Sequence, residues 1–358
     1  MLLAGRCFRF QLLFGILLLT YRALFTGRFA NRIRPKFENN DSSTESLPVH
    51  HDWRVRLDSY IVGEWSCDVG EFSKWRRCPL SSPNNTTSAL TFTPIGRTGN
   101  LMYEYAGAIG TAIRRGMIPL LPYGTGLERC FNFLDEYYPH DRGLEFVEIH
   151  PPDLYYSPDW LREGWSGNVR LNSLMQSWKY FGHVDEMLRN LFQFRRSSIT
   201  AADEFLGSGK SRSRPGTGSS VFVSIHVRRT DFVDTYGSLI KPIPTGYIQE
   251  AMALFRNLYR HLVRFVVVSD DPDWCKRNLN ITGNDLLSEG LDACDDLAIL
   301  SKCNHSIITA GSSFGWWGAF LANGHVTYYP GWLKSGSWYN LKYVESDFFL
   351  PRWKRLNF

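Results

Sequence analysis

The sequence contains no Walker-type Gly-x-x-x-x-Gly-Lys-Ser/Thr stretch, so the phosphate cradle of an ATPase is missing. A Gly-x-Ser-x-Gly elbow is absent too, which argues against a serine hydrolase of the α/β type. None of the cysteine spacings suits a zinc ligand set, and no metal is expected. There is little excess charge: the net value of +5 is mild, and much of it sits in Arg6, Arg9, Arg22, Arg28, Arg32, Arg34 and Lys36. No basic stripe marks the rest of the chain, so nucleic acid is not an expected partner. What is present describes a globular protein, with 44% hydrophobic and 21% charged residues in a chain of 358, long enough for two domains. The 12 tryptophans and 15% aromatic content suit a carbohydrate site, but a core is the better default.

The apolar run Phe10–Tyr21 is short for a membrane span of ~20 residues. If Arg9 and Arg22 snorkel, the usable stretch lengthens to Phe8–Phe25 and becomes marginally sufficient. No small-x-small cleavage site follows Tyr21, so the segment reads as an uncleaved signal anchor, with a cleaved signal peptide as the rival. More positive charge follows the run than precedes it, against the positive-inside rule, so the orientation rests on what lies downstream. There, Asn-x-Ser/Thr acceptors occur at Asn40, Asn84, Asn85, Asn280 and Asn304. Asn84 and Asn85, in a Ser-Ser-Pro-Asn-Asn-Thr-Thr loop, are the best candidates for glycosylation, whereas Asn304 is expected to be more buried. Beyond Cys7, the six cysteines Cys67, Cys78, Cys130, Cys275, Cys294 and Cys303 allow up to three disulfides in 15 pairings. Sequons and an even cysteine count together point to the secretory lumen.

The expected organisation is a tail at 1–7, an anchor at 8–25, a stem and cysteine-bearing linker at 26–88, a first folded domain at 89–206, a second at 219–335 and a C-terminal tail at 336–358. In the first domain, the strand Ala89–Thr93 leads through Gly96-Arg97-Thr98-Gly99-Asn100 into a helix with Met102, Tyr105, Ile109, Ala112 and Ile113 at helical spacing. Asn100 is a natural N-cap for it, and Gly96 and Gly99 suit a turn that approaches a ligand or another helix. Residues 207–220, rich in Gly and Ser, read as a flexible boundary.

After that boundary, strands and helices alternate. Strands are expected at Val221–Arg228, Phe265–Val268, Ser306–Thr309 and, last, Val326–Tyr329, with helices near 247–260, around Trp274, at 292–302 and at 314–321. Fully apolar strands alternating with helices imply a parallel sheet covered on both faces, a Rossmann-like domain. Along the first of these strands, Val221, Val223, Ile225 and Val227 share one face, while Ser224, His226 and Arg228 share the other.

Three strand ends here carry polar groups: His226–Asp231, Ser269–Asp271 and Gly311–Ser313. Ligands of open α/β sheets bind beyond the carboxyl ends of strands. Arg228 and Arg229 offer paired guanidiniums to phosphate oxygens. The Ser312–Ser313 turn opens a helix whose free N–H groups can receive a phosphate, or it only caps that helix. Asp270 and Asp271 are suited to ribose or base donors, or to capping the next helix. Together they form a plausible nucleotide-diphosphate site, although a surface Arg–Asp cluster would show the same local pattern.

His226-Val227-Arg228-Arg229-Thr230-Asp231 resembles the His-x-Arg-Arg-x-Asp motif of GDP-fucose-dependent fucosyltransferases. Gly96-Arg97-Thr98-Gly99-Asn100 resembles the Gly-Arg-x-Gly-Asn motif of the α1,2-fucosyltransferases, glycosyltransferase family 11. The run from Asp296-Leu297-Ala298 through Cys303-Asn304-His305-Ser306 to Ala310-Gly311-Ser312-Ser313-Phe314-Gly315-Trp316-Trp317 is similar to that family's C-terminal motif, and Val268-Ser269-Asp270-Asp271 with Trp274-Cys275 also fits. The likeness covers about residues 90–335. Leu101 departs from it, standing where related sequences often carry Gln.

The resemblance implies a GT-B fold: an α/β protein of two Rossmann-like domains behind a signal anchor and stem, with the donor in the C-terminal domain. It implies inverting transfer of fucose from GDP-β-L-fucose to a galactoside hydroxyl in α1,2 linkage, without a required metal or cofactor. Its setting would be the Golgi membrane, as a single-pass type II protein acting on lumenal glycans. Arg228 and Arg229 would hold the diphosphate. His226 and Asp231 would position that loop or the donor, Asp231 being also a candidate general base. Ser269, Asp270, Asp271, Ser312, Ser313 and Phe314 would contact the nucleotide, and Gly99 and Asn100 would approach fucose and acceptor. The arginine motif alone leaves an α1,6- or protein O-fucosyltransferase open, but the Ser-Ser-Phe-Gly-Trp-Trp turn and the lack of a long coiled-coil stem disfavour both. A lumenal lectin would not need diphosphate ligands, and a membrane-anchored receptor would not need three phosphate-suited strand ends.

Overall fold

A computed structural model describes residues 88–132, 144–210, 220–309 and 311–357. The expected anchor, the stem and the sequons Asn40, Asn84 and Asn85 lie outside them, as do Cys67 and Cys78. None of the described helices is long and apolar enough to cross a membrane.

The described strands form two all-parallel sheets. In the first half, β1 (Ala89–Phe92), β2 (Ile118–Pro119), β3 (Phe146–Ile149) and β4 (Asn168–Leu171) lie in the order β2-β1-β4-β3. Helix α1 (Thr98–Arg115) follows β1 and is buried nearly all round from Leu101 to Ala112. It ends on Gly116, whose left-handed φ of 71° lets the last turn close. The last helix of this half, α2 (Arg196–Lys210), continues through residues 207–210, which the Gly/Ser content had marked as loop. Packing of one helical face outweighs the weak propensity of Gly207.

The second half contains β5 (Val221–Val227), α3 (Thr230–Asp234), α4 (Thr245–Tyr259), β6 (Val263–Ser269), α5 (Pro272–Asn278), β7 (Leu286–Leu287), α6 (Ala293–Lys302), β8 (His305–Ile308), α7 (Ser313–Ala322), β9 (Val326–Tyr328) and β10 (Lys354–Arg355). Its sheet order is β10-β9-β8-β5-β6-β7. The alternation along β5 is seen directly. Val223, Ile225 and Val227 join a core with Tyr247, Ile248 and Phe255 of α4, whereas Phe222 faces the opposite core with α6 and α7. Val326 does not begin the last strand, and residues 336–358 are not a free tail. The chain returns so that β10 pairs with β9, and Phe348 and Trp353 enter the main core.

That main core crosses from one half to the other. Tyr103 of α1 packs on Trp316 and Trp317 of α7, with ring centroids 4.9 and 5.3 Å apart, and Phe181 stacks on Trp317. A Cys130–Cys294 disulfide also joins the halves. Cys275 and Cys303 are buried free thiols, so neither takes part in the expected set of bridges. Helices α1 and α7 approach closely at Gly99, where a Cβ would lie 2.5 Å from the Phe314 nitrogen and 2.6 Å from the Ser313 carbonyl carbon. Glycine permits this approach between backbones. Leu101 is buried in the same packing, which accounts for an apolar residue there.

Candidate functional site

In the second sheet the chain runs outward from β5 through β6 to β7, then returns to the other side of β5 with β8, β9 and β10. The order therefore reverses between β5 and β8, and the loops beyond their carboxyl ends flank the topological switch point, the usual ligand position in such sheets. His226–Asp231 leaves β5 there, and Thr309 and Gly311–Ser313 leave β8. The loops are tied together by Thr309 Oγ1, which donates to the His226 carbonyl at 2.6 Å. Ser269–Asp271 leaves β6 on the other side of β5.

The arginine loop is held by carboxylates. Arg228 donates to Asp231 twice, Nε to Oδ1 at 2.7 Å and the terminal nitrogen to Oδ2 at 2.8 Å, and its other terminal nitrogen is 3.4 Å from Asp270. Arg97, from the turn after β1, also pairs with Asp231. Arg229 lies 4.1 Å over the Trp274 ring, with Nε 3.3 Å from Asp271. Asp270 accepts the backbone N–H groups of Arg229 (2.8 Å) and Thr230 (3.1 Å) as well as the Thr230 hydroxyl. Asp271 caps α5 by accepting the Trp274 N–H at 3.0 Å. Ser269 Oγ donates to the Val227 carbonyl at 2.9 Å and accepts the Asp271 N–H at 3.0 Å. In this geometry Ser269 and Asp270 support the loops and Asp271 caps α5. Three guanidiniums (Arg97, Arg228, Arg229) thus meet three carboxylates (Asp231, Asp270, Asp271) at one end of the sheet.

Burial alone would raise the Asp231 carboxyl, but the hydrogen bonds and charge of Arg228, with Arg97 beside them, hold it below the usual carboxylate range. His226 is pushed down to about 4, mainly by burial and then by the neighbouring Arg228 charge, so it is neutral near pH 7. Its ring tilts against Phe314 at 5.1 Å, and its Nδ1 has no hydrogen-bond partner among the described residues.

Opposite β5, Ser312 occupies the N-cap of α7 and its side chain makes no capping bond, leaving the hydroxyl and the first-turn N–H groups uncommitted to a cap. Asn100 is not the N-cap of α1. That place belongs to Arg97, with no side-chain bond, and Asn100 lies inside the first turn. Its Oδ1 accepts from Ser313 Oγ and from Gln176 Nε2, each at 2.8 Å. The structure thus brings Asn100, Gly99, His226, Arg228, Arg229, Asp231 and Ser312–Phe314 together. Asn280 and Asn304 are remote from this site. Both are exposed, Asn304 contrary to expectation, and its Oδ1 accepts the Phe222 N–H at the start of β5.

Sequence reasoning assigned no role to Arg97 or Gln176. Arg97 stood within a quoted motif, and its charge was the available signal. Gln176 lies in a region without a readable pattern.

The profile of glycosyl transferase family 11 matches residues 150–357. A galactoside 2-alpha-L-fucosyltransferase (SEC1) of Bos taurus is 32% identical over 277 residues, covering 74% of this chain and 73% of the relative. A galactoside alpha-(1,2)-fucosyltransferase 2 of Rattus norvegicus is 30% identical over 277 residues, covering 74% and 75%. Among solved structures, the fucosyltransferase NodZ from Bradyrhizobium is 15% identical with a TM-score of 0.47, over 65% of this chain and 93% of that one.

Proposed function

The chain belongs to glycosyl transferase family 11, and from that premise we propose that it moves fucose from GDP-β-L-fucose to a galactoside hydroxyl, inverting the sugar and forming an α1,2 linkage. The observation that carries this reading is the meeting of the Gly96–Asn100 turn with the arginine loop and the α7 N-terminus: Arg97 reaches Asp231, and Asn100 reaches Ser313. On this reading the donor and acceptor ends of a transfer share one site. The two parallel-sheet halves are read as the two domains of a GT-B enzyme.

Arg228 and Arg229 leave β5 beside the strand end that opens α7, an arrangement suited to a diphosphate. As the bond between fucose C1 and the diphosphate oxygen lengthens, negative charge collects on the leaving group and positive charge on the sugar ring. The guanidiniums stabilise the first, supplying what a divalent cation supplies elsewhere, and the transfer needs no metal. The galactoside oxygen closes on C1 from the opposite face and loses its proton to water. Asp231 is read as a clamp and not as the base, because Arg228 and Arg97 pair with its oxygens and hold its carboxyl below the usual range, which makes it a weak proton acceptor. Its role is to clamp arginines from both halves. Residues 8–25 anchor the protein in the Golgi membrane with the folded part lumenal, a reading supported by the Cys130–Cys294 disulfide, which belongs to an oxidising compartment.

The test is incubation of the purified full-length protein with GDP-fucose, EDTA and a panel of β-galactosides, with the linkage mapped by NMR. Transfer to the 2-hydroxyl in EDTA is expected. Arg229→Ala should lower turnover by about 100-fold or more with an unchanged circular dichroism spectrum. A metal requirement, preference for another nucleotide sugar, or full activity in that variant would refute the reading.

A further inference from the structure

Asn100, Gln176 and Ser313 come from three strand ends, after β1, β4 and β8, so that both sheets contribute to one small cluster. In the first sheet β1 and β4 are neighbours across that sheet's own reversal of strand order. Gln176 Nε2 and Ser313 Oγ both donate to Asn100 Oδ1 at 2.8 Å. Gln176 is only 7% exposed. Its loop is fixed in turn: the Gln176 N–H bonds to the Asp153 carbonyl at 2.7 Å, and the Asp153 carboxylate accepts the Ser173 hydroxyl and the Leu174 N–H.

Two donors converging on one oxygen decide which way a carboxamide points. With Gln176 turned so that Nε2 meets Asn100, a flipped Asn100 would set N–H against N–H, and the two carboxamides orient each other as a pair. In this arrangement Oδ1 faces Gln176 and Ser313, and Nδ2 faces away. Nδ2 lies against Gly96, where a Cβ would come within 2.6 Å of it. Gly96 is exposed and has a φ of 91°, so the turn leaves this nitrogen with no side chain over it.

We propose that Gln176 is a positioning residue: with the Ser313 hydroxyl it locks the Asn100 carboxamide so that Nδ2 presents its N–H bonds to an oxygen of the bound carbohydrate. The identity of that carbohydrate rests on the fucosyl-transfer reading above. The same lock fastens the first half to the start of α7, so the donor is presented only when the two halves are together.

Three variants test this in the full-length protein. Gln176→Met keeps the volume and removes the donor. Gln176→Glu replaces the donor with an acceptor that repels Oδ1. Asn100→Asp retains an oxygen for both incoming bonds and loses only the outward N–H groups. Each is expected to lower kcat for transfer by roughly 100-fold, the scale of a misplaced positioning group. GDP affinity by calorimetry should stay within about twofold of wild type. Wild-type turnover in Gln176→Met or Asn100→Asp would overturn the proposal, as would GDP affinity falling in step with turnover. Hydrogen exchange of the amides over 97–103 reads the lock without catalysis: Gln176→Met should speed it, and unchanged exchange would refute the lock. A wild-type protein that transfers no fucose would instead refute the fucosyl-transfer reading, with the exchange result still deciding the lock.

Discussion

Asp231→Asn separates a clamp from a proton acceptor. The carboxylate takes two hydrogen bonds from Arg228 at 2.7 and 2.8 Å and pairs with Arg97, while remaining 21% exposed. A hydrogen bond to a charged group contributes about 1.5–3 kcal/mol, and partial exposure reduces that. The amide keeps one acceptor oxygen and turns an NH2 toward the other guanidinium, for a net loss of about 1–2 kcal/mol in arginine alignment. Turnover should therefore fall by roughly 5- to 30-fold, since about 1.4 kcal/mol is a factor of ten. Loss of a general base would cost about 100- to 10,000-fold.

The pH dependence discriminates further. The folded pKa of Asp231 is depressed, the pull of Arg228 and Arg97 outweighing burial. Such a group contributes stability that is full above its unfolded value of about 4 and is lost as pH falls through the folded value. Above about pH 5 the carboxylate stays charged and generates no acid limb in the activity. The assay is kcat/KM for fucosyl transfer from pH 5 to 9 in both proteins. A loss beyond about 100-fold, or disappearance in the variant of an acid limb near pH 6–7, would refute the clamp.

Two further outcomes follow from features outside the arginine loop. Replacing Cys130 and Cys294 by Ala opens a link across a sequence separation of 164, and loop entropy puts the loss at roughly 5 kcal/mol. The melting temperature should drop by about 10 °C or more, and an unchanged melt would show that the bridge adds nothing to the aromatic interface between the halves. Glu104 is fully buried and accepts the Ile95 N–H, and burial raises its carboxyl to about 9. A carboxyl raised in the fold makes stability decline as pH climbs from the unfolded value of about 4 toward that folded value. Glu104→Gln keeps an acceptor for Ile95 and removes the ionisation, so its stability advantage should grow between pH 5 and 8. A difference independent of pH in denaturant melts would contradict the assignment.

What was legible in the chain was whatever nearest neighbours determine. The two-residue period along Val221–Val227 sorted side chains onto opposite cores because both faces of that strand are covered by helices. The Ser312–Ser313 turn was legible as a helix start, and Arg228 and Arg229 as a strand-end pair, for the same local reason. Strand β10 was not, because Lys354 and Arg355 are exposed and charged and pair only where the returning chain meets β9.

The cap expected at Asn100 failed in an instructive way. Asn100 fits the N-cap preference, but a cap is only one claimant for a side-chain oxygen. Donors 76 and 213 residues away in sequence claimed it instead. Asp270 likewise carries a second task that no local pattern showed, accepting two backbone N–H groups within the arginine loop. A polar side chain near a strand end takes whichever partner satisfies the most buried donors at once, and that competition is settled by the packing of the two halves. Gln176 is the extreme case: no local pattern singles it out, and its function exists only because α1, β4 and α7 bring three loops to one oxygen.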